Sequence, residues 1–207
     1  MACLFKGIAR ALGVAAAAPH LVGYAGLRLL TSRDQAFSMA SERLACIPGL
    51  VGVYTRQAFY RWTLAGCGRG VYFGFMTVLS KAEARIGDGA YLGRFCVIGA
   101  ADIGAGAKLA DRVQVLSGRR HHQAAADDES QAATAGRIDA DGVRFERVSV
   151  GPGAWIGADA VVMVDVGADT VVGAGAVVTR PVADGQTVAG VPARPVAAIA
   201  PDARRAA

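Results

Sequence analysis

The chain has 207 residues, including 43 alanines and 27 glycines, and a formal net charge of +5. This length fits one domain, and four cysteines without CxxC spacing argue against a zinc cluster or a disulfide framework. A chain so rich in glycine is disordered, collagen-like or repetitive. Recurring Val, Ile and Leu argue against disorder, and glycine keeps no strict period of three. The composition therefore predicts a repeat protein of the reducing cytoplasm. We expect no nucleic-acid partner, since no reader motif accompanies the positive charge.

Residues 1–70 are predicted to form a helical cap. The uncharged stretch 11–27 is interrupted by Pro19 and His20 and is shorter than the ~20 residues of a spanning helix, so we expect no transmembrane segment. Residues 39–64 are predicted to be helical, with a break at Pro48 and Gly49. Their basic and aromatic character leaves two interpretations open. The helices pack on the main domain as a cap, or they lie peripherally on the inner face of the membrane.

A six-residue repeat organises the rest of the chain. Aliphatic residues return at twelve positions, which are Ile86, Leu92, Ile98, Ile103, Leu109, Val115, Val150, Ile156, Val162, Val166, Val172 and Val178. Glycine follows eight of them, and a small or β-branched residue often stands four positions after. A period of six is typical of short strands that turn a corner. We expect the aliphatic side chains to stack inside, and glycine to supply the unusual backbone at each corner.

The tandem [LIV]-G-x-x-A-x pattern resembles that of the hexapeptide-repeat acyltransferases, over about residues 71–196. The resemblance implies an all-β fold, a left-handed parallel β-helix with about three hexapeptides per coil. It places the β-helix domain at residues 71–190, with a loop insertion at 117–147 and a C-terminal tail at 191–207. The segment VGAGAVVTRPVADGQTVAGVPARPV, residues 172–196, is similar to part of the acetyl-coenzyme A site of sugar and exopolysaccharide O-acetyltransferases.

The insertion opens with SGRRHH and contains two of the three histidines in the chain. Acyl transfer from a thioester to a hydroxyl needs a base of near-neutral pKa, for which histidine is the ordinary choice. Arg119 and Arg120 would lower the pKa of a neighbouring imidazole and keep it neutral. The resemblance implies a catalytic histidine in this loop, and we take His122 as the candidate with His121 as the alternative. No third histidine lies in the repeat region, so we expect no metal.

The resemblance also implies which residues contact acetyl-coenzyme A. Carried over position by position, they are Ala158, Ala174, Thr179, Arg180 and Arg194. Small alanines allow the pantetheine arm to lie against the coil and bond to backbone amides, while the arginines offer cationic donors to phosphates.

The sequence thus predicts an acetyl-coenzyme A-dependent O-acetyltransferase. Its acceptor would be a hydroxyl of a sugar or saccharide precursor in cell-surface polysaccharide biosynthesis, and the resemblance implies a homotrimer. Two alternatives stay open. One is N-acetylation of an amino sugar or acetylation of serine, and the other is a non-enzymatic β-helical scaffold.

Overall fold

The computed structural model describes residues 2–117, 137–138 and 144–196, and only the backbone of residues 2–10, 137–138 and 144–145. Three helices come first in the described chain. They are α1 (Ala2–Leu30), α2 (Arg33–Ala45) and α3 (Gly49–Thr63). None of the described helices is long and apolar enough to span a membrane.

The helix boundaries follow local chemistry. The Ser32 hydroxyl accepts the backbone N–H of Gln35, and the Gln35 side chain accepts the N–H of Ser32, which forms a capping box that starts α2. The break before α3 falls at Pro48 and Gly49, as predicted. Pro19 lies inside α1, which continues through it. A proline removes one helical hydrogen bond, and packing of α1 along α3 compensates for that loss.

In the part of the chain that the structure describes, eighteen strands of two or three residues follow the helices. They are β1 (Gly66–Cys67), β2 (Tyr72–Phe73), β3 (Val78–Leu79), β4 (Arg85–Ile86), β5 (Tyr91–Leu92), β6 (Val97–Ile98), β7 (Ala101–Ile103), β8 (Lys108–Leu109), β9 (Gln114–Val115), β10 (Arg137–Ile138), β11 (Arg144–Phe145), β12 (Val148–Val150), β13 (Trp155–Ile156), β14 (Val161–Val162), β15 (Val171–Val172), β16 (Val177–Val178), β17 (Thr187–Ala189) and β18 (Arg194–Pro195). The first strand therefore begins at Gly66, ahead of the expected start at residue 71. Strands β10 and β11, inside the insertion, pair antiparallel with each other.

The strands build a parallel β-solenoid of about five turns, the fold class that the repeat predicts. The first four coils each contribute one strand to each of three faces, and beyond them Val166 and Val182 continue the first face as isolated bridges. Sheet 1 has the order β1-β4-β7-β12, sheet 2 has β18-β17-β15-β13-β8-β5-β2, and sheet 3 has β16-β14-β9-β6-β3. We call the turn from sheet 1 to sheet 2 corner 1, that from sheet 2 to sheet 3 corner 2, and that from sheet 3 to the next coil corner 3. Only β18 pairs antiparallel in these three sheets.

The repeat positions fill the interior as predicted. All twelve aliphatic residues are buried, and so are the small residues four positions later, including Ala90, Cys96 and Ala176. Consecutive coils are in register, so that Ile156 pairs with Leu109 on one side and with Val172 on the other. The core is therefore one continuous stack of aliphatic side chains, with small residues beside it.

The expected reason for the repeat glycines is wrong. The glycine after each aliphatic residue lacks a positive φ, which falls instead two residues later, as at Gly106 (φ 67°) and Arg112 (φ 62°). The repeat glycines lie against the backbone of the next coil. A Cβ on Gly157 would stand 2.5 Å from the Ala174 nitrogen, and one on Gly104 would stand 2.6 Å from the Gly151 carbonyl carbon. Close approach of neighbouring coils therefore requires these glycines.

Buried polar contacts attach the helical cap to the first coils. The Arg56 guanidinium is fully buried and donates to the carbonyl oxygens of Leu44 (2.9 Å) and Ile47 (2.9 Å) beside the α2 C-terminus, and to Phe73 (3.2 Å) on β2. Its desolvation lowers the pKa of Arg56. The Lys81 ammonium forms an ion pair with Asp34 at 3.0 Å. The Arg56 guanidinium of α3 thus holds the C-terminus of α2 and strand β2 together, and these contacts set the position of the helical cap on the solenoid.

Candidate functional site

Ala158 and Ala174 lie one coil apart at corner 2. Each stands two residues after a buried aliphatic residue, and the Gly175 N–H donates to the Ala158 carbonyl at 2.8 Å. Ala158 is half-buried and Ala174 is exposed. The structure therefore brings together two of the five predicted cofactor contacts, Ala158 and Ala174. They lie at corner 2, near the C-terminal end of the solenoid.

The backbone N–H groups of the two alanines have no acceptor among the described residues. In other coils, an aspartate stands at this repeat position. Its carboxylate accepts the backbone N–H of the residue at the equivalent position one coil earlier. Asp88 accepts from Arg69 (2.6 Å), Asp111 from Arg94 (2.8 Å), and Asp184 from Ala168 (2.8 Å). An alanine cannot do this. Among the residues that the structure describes, the N–H groups of Ala158 and Ala174 donate to no acceptor, so both can bond to a carbonyl of a ligand.

An ion pair borders this corner on the N-terminal side. The Arg112 guanidinium donates to both carboxylate oxygens of Asp159, with the Nε–Oδ1 and Nη2–Oδ2 distances at 2.6 and 2.7 Å. This bidentate contact lowers the pKa of Asp159 and raises that of Arg112. The Asp159 charge is therefore neutralised beside Ala158, which favours the approach of an anionic ligand.

Thr179 and Arg180 lie at corner 3, across sheet 3 from the alanines. They follow β16, whose outward residue Val177 is half-buried like the equivalent Val161 on β14. An apolar strip one strand wide thus joins the two corners. Arg180 is exposed and forms no ion pair with any described residue.

The insertion departs from this same corner. Leu116 donates to Val162 (2.9 Å), and Met163 donates to Val178 (3.1 Å), so Ser117 starts the insertion two coils before Thr179. His121 and His122 follow Ser117 by four and five residues, and both lie outside the described residues. Their positions relative to Thr179 stay a prediction.

The base of the insertion is anchored by two residues that the sequence interpretation missed. The buried Ser117 hydroxyl accepts the Ala100 N–H at 2.8 Å, and the Ser117 carbonyl accepts from Glu146 at 3.0 Å. On the returning arm, Arg147 donates to Asp102 at 2.7 Å. Both anchors stand where the six-residue pattern stops and resumes, which was the available signal.

Arg194 lies on β18, at the C-terminal end of the solenoid. Its strand β18 pairs with β17, and the preceding Ala193 donates to Val177 at 2.8 Å. The Arg194 side chain is exposed and donates to the Ala193 carbonyl at 3.0 Å. It thus belongs to the end of the solenoid that holds Ala174, while Arg180 lies at the other edge of sheet 3.

The geometry fits an elongated anionic ligand that carries amides. Unpartnered N–H donors lie at corner 2, an apolar strip crosses sheet 3 to the exposed Arg180, and the exposed Arg194 lies at the C-terminal end near Ala174. Such donors can hold amide carbonyls, and guanidinium groups can hold phosphates. Among the described residues, no group of three or more His, Cys, Asp or Glu is placed to hold a metal ion.

No model of a known protein family matches the sequence, and no curated protein matches it. Solved structures do match. A maltose O-acetyltransferase from Clostridium difficile 630 has a TM-score of 0.62 at 18% identity, over 80% of this chain and 88% of that one. A hexapeptide-repeat-containing acetyltransferase from Vibrio cholerae has a TM-score of 0.60 at 20% identity, over 83% of this chain and 95% of that one. A galactoside acetyltransferase in complex with coenzyme A has a TM-score of 0.60 at 18% identity, over 81% of this chain and 82% of that one.

At these identities the likeness establishes the fold. The chain has the β-solenoid fold of the hexapeptide-repeat acetyltransferases, and the resemblance seen in the repeat is confirmed at that level. The ligands and reactions of the matched structures are properties of those proteins alone.

Proposed function

We propose that the protein is an acetyl-coenzyme A-dependent O-acetyltransferase. The observation that carries the proposal is the pair of unpartnered N–H groups at Ala158 and Ala174, at the positions that the resemblance assigns to the cofactor. The shared fold with maltose and galactoside acetyltransferases supports it. The proposed acceptor is a hydroxyl of a sugar or saccharide precursor in cell-surface polysaccharide biosynthesis.

The reaction is a direct transfer. Acetyl-coenzyme A supplies an acetyl group activated as a thioester. The Ala158 and Ala174 N–H groups hold the carbonyls of its arm, and Arg180 and Arg194 attract its phosphates. His122, or else His121, takes the proton from the acceptor hydroxyl as its oxygen attacks the thioester carbon. The carbon–sulfur bond then breaks, the ester forms, and the thiolate takes up the proton, so no acyl-enzyme is needed.

A homotrimer is part of the proposal. The outward residues of sheet 3 include Val97, which is 44% exposed, and the neighbouring Phe95 at corner 2 is 48% exposed. An apolar face of this kind supports contact with another copy of the chain. Sedimentation velocity should give the trimer mass, and a monomer at micromolar concentration would contradict this part alone.

The activity is tested by thiol release from acetyl-coenzyme A with three sets of acceptors: saccharides, amino sugars and serine. We expect release with a saccharide, and loss of release in His122→Ala or in His121→Ala. Full activity of both variants would overturn the assigned base. Release with amino sugars or serine alone would replace O-acetylation of a saccharide by the alternative reaction.

The cofactor site is tested by a substitution that the fold itself supplies. In Ala174→Asp, the new carboxylate would accept the Ala158 N–H, as Asp111 does for Arg94. It would also bring a negative charge to the site. We expect calorimetric binding of coenzyme A to weaken at least tenfold, while the melting temperature is kept or raised.

The matched control is Ala105→Asp, at the same repeat position of corner 1. It adds the same charge, and the same kind of carboxylate acceptor for a backbone N–H, away from the candidate site. Coenzyme A binding should therefore stay as in the wild type. Equal binding by both variants would remove Ala158 and Ala174 from the site. Absence of any saturable binding by the wild-type protein would instead favour the scaffold.

A further inference from the structure

The helical cap exposes an unusual amount of apolar surface. Of the fifteen large apolar side chains that are exposed in the described part of the chain, nine lie on α1, α2 and α3. On α1, Val22 is 73% exposed and Leu29 is 86% exposed. Side chains of this size rarely face water in clusters unless a partner covers them.

The exposed apolar residues of α1 share one side of the helix. Gly13, Ala17 and Tyr24 are buried and face the other helices. The opposite side follows the helical spacing of three and four residues and is exposed throughout, at Ala11, Ala15, Ala18, Val22, Ala25 and Leu29. No charged residue lies between Arg10 and Arg28. An uncharged face of about 27 Å therefore points away from the core.

The positive charge of the protein is concentrated in the same segment. Residues 1–70 contain eight basic and two acidic residues, a formal net charge of +6, whereas residues 71–207 contain fourteen basic and fifteen acidic residues. One of the two acids, Asp34, is paired with Lys81 of the solenoid. The cap is thus strongly cationic, and the solenoid is close to neutral.

The cationic side chains of the cap are available to an external anion. Arg28, Arg33, Arg43 and Arg61 are exposed, and within the described chain none of them pairs with a carboxylate. Arg61 also lines a cleft of about 450 Å³ between α3 and the first coil, together with Arg69, and no acidic residue lines it. Negative charge on a partner would therefore be attracted along the whole cap.

We propose that the cap docks on an anionic lipid bilayer, with α1 lying flat in the headgroup region and its outward face toward the acyl chains. An apolar helix face with basic residues at both ends binds such an interface, because buried apolar area and attraction to anionic lipids add. A second copy of the same cap fits less well, since two segments that each carry a formal net charge of +6 repel each other. The docking is independent of the proposed acyl transfer.

The test measures co-sedimentation of the full-length protein with vesicles. The vesicles contain phosphatidylcholine alone, or phosphatidylcholine with phosphatidylglycerol. We expect binding to the anionic vesicles, weaker binding to the neutral ones, and release from the anionic vesicles as salt rises. The double variant Val22→Glu/Leu29→Glu should bind at least tenfold more weakly. Arg28→Gln/Arg33→Gln should lose about fivefold per arginine on the anionic vesicles only.

Two control variants make the same kinds of substitution on the solenoid instead of the helical cap. Ala105→Glu adds an acid at an exposed corner, and Arg85→Gln removes an exposed arginine from sheet 1. Both should bind like the wild type. Since all substituted positions are exposed, circular dichroism should show wild-type folding, and if the double glutamate variant unfolds, the arginine variant decides.

Three results would overturn the proposal. The wild type binds anionic vesicles no better than neutral ones, or the folded variants of the cap bind as well as the controls. The third such result is that Val22→Glu/Leu29→Glu changes the mass measured by sedimentation velocity and leaves vesicle binding unchanged. That result would assign the outward face of α1 to a contact between copies of the chain.

Discussion

Replacing Gly104 by alanine tests the packing of neighbouring coils. A Cβ at this position would lie 2.6 Å from the Gly151 carbonyl carbon and 2.7 Å from the Pro152 Cα. Ordinary carbon contacts are about 3.5–4.0 Å, so one coil must move by about 1 Å. The Gly104 N–H donates to the Val150 carbonyl at 2.7 Å, and such a movement would take this pair beyond hydrogen-bonding distance.

The expected loss is the sum of two effects. A broken backbone hydrogen bond costs about 1 kcal/mol, and overpacking against a rigid neighbour costs about 1–3 kcal/mol. Gly104→Ala should therefore lower the free energy of unfolding by about 2–4 kcal/mol. The comparison is Gly106→Ala, where φ is +67° and nothing lies within 4 Å of the new Cβ. That change should cost only about 1 kcal/mol, since the left-handed penalty is partly offset by lower entropy of the unfolded chain.

The assay is urea unfolding of both variants and the wild type, followed by circular dichroism. The ranking is the decisive result. If Gly104→Ala were no more destabilising than Gly106→Ala, close approach of the coils would not be the reason for the repeat glycines.

Three further predictions concern stability. Burial raises the pKa of Tyr60 to about 12, so the unfolded chain loses this proton at lower pH than the folded one, and stability should fall by up to about 3 kcal/mol between pH 10 and 12. The fall should be smaller in Tyr60→Phe, measured by urea unfolding across that range, and an equal fall would assign it to other groups. Ser117→Ala removes the acceptor of the buried Ala100 N–H and should cost about 1–3 kcal/mol by the same assay, whereas an unchanged midpoint would show that Ser117 does not anchor the insertion. Arg112→Ala breaks only an exposed ion pair with Asp159, so its melting temperature should match that of the wild type by calorimetry, and a large drop would contradict the assignment of this pair as a surface contact.

The sequence was sufficient where one physical rule governs each residue. Ile156 and Ala160 recur at fixed positions because an aliphatic stack and a narrow interior repeat in every coil, and both are buried as expected. The short strands that turn a corner and the place where the rhythm stops, at Ser117, could therefore be read from the spacing, and the resemblance carried by the repeat implied the β-helix.

The helices show where local signals were too weak. Pro19 lies inside α1 although proline disfavours a helix interior, because contacts between α1 and α3 outweigh that cost. The capping box at Ser32 starts α2 well before residue 39, where the helical character was first noticed. Tertiary packing decides such boundaries, and a single local pattern does not contain it.

For this protein, the sequence by itself determined the repeat and its inward residues, because these depend on a periodicity that every coil obeys, and its resemblance to a known family implied the class of fold. Only the tertiary structure decided what surrounds each position. It places Ala158 and Ala174 on one corner and Thr179 and Arg180 on another, although all four follow the same repeat. It also shows that the corner glycines permit close coils, and that the N–H groups of two alanines lack the carboxylate cap present at Arg94. Contacts of this kind join residues about sixteen positions apart, and their distances are set by the stacking of coils rather than by neighbouring residues in the chain.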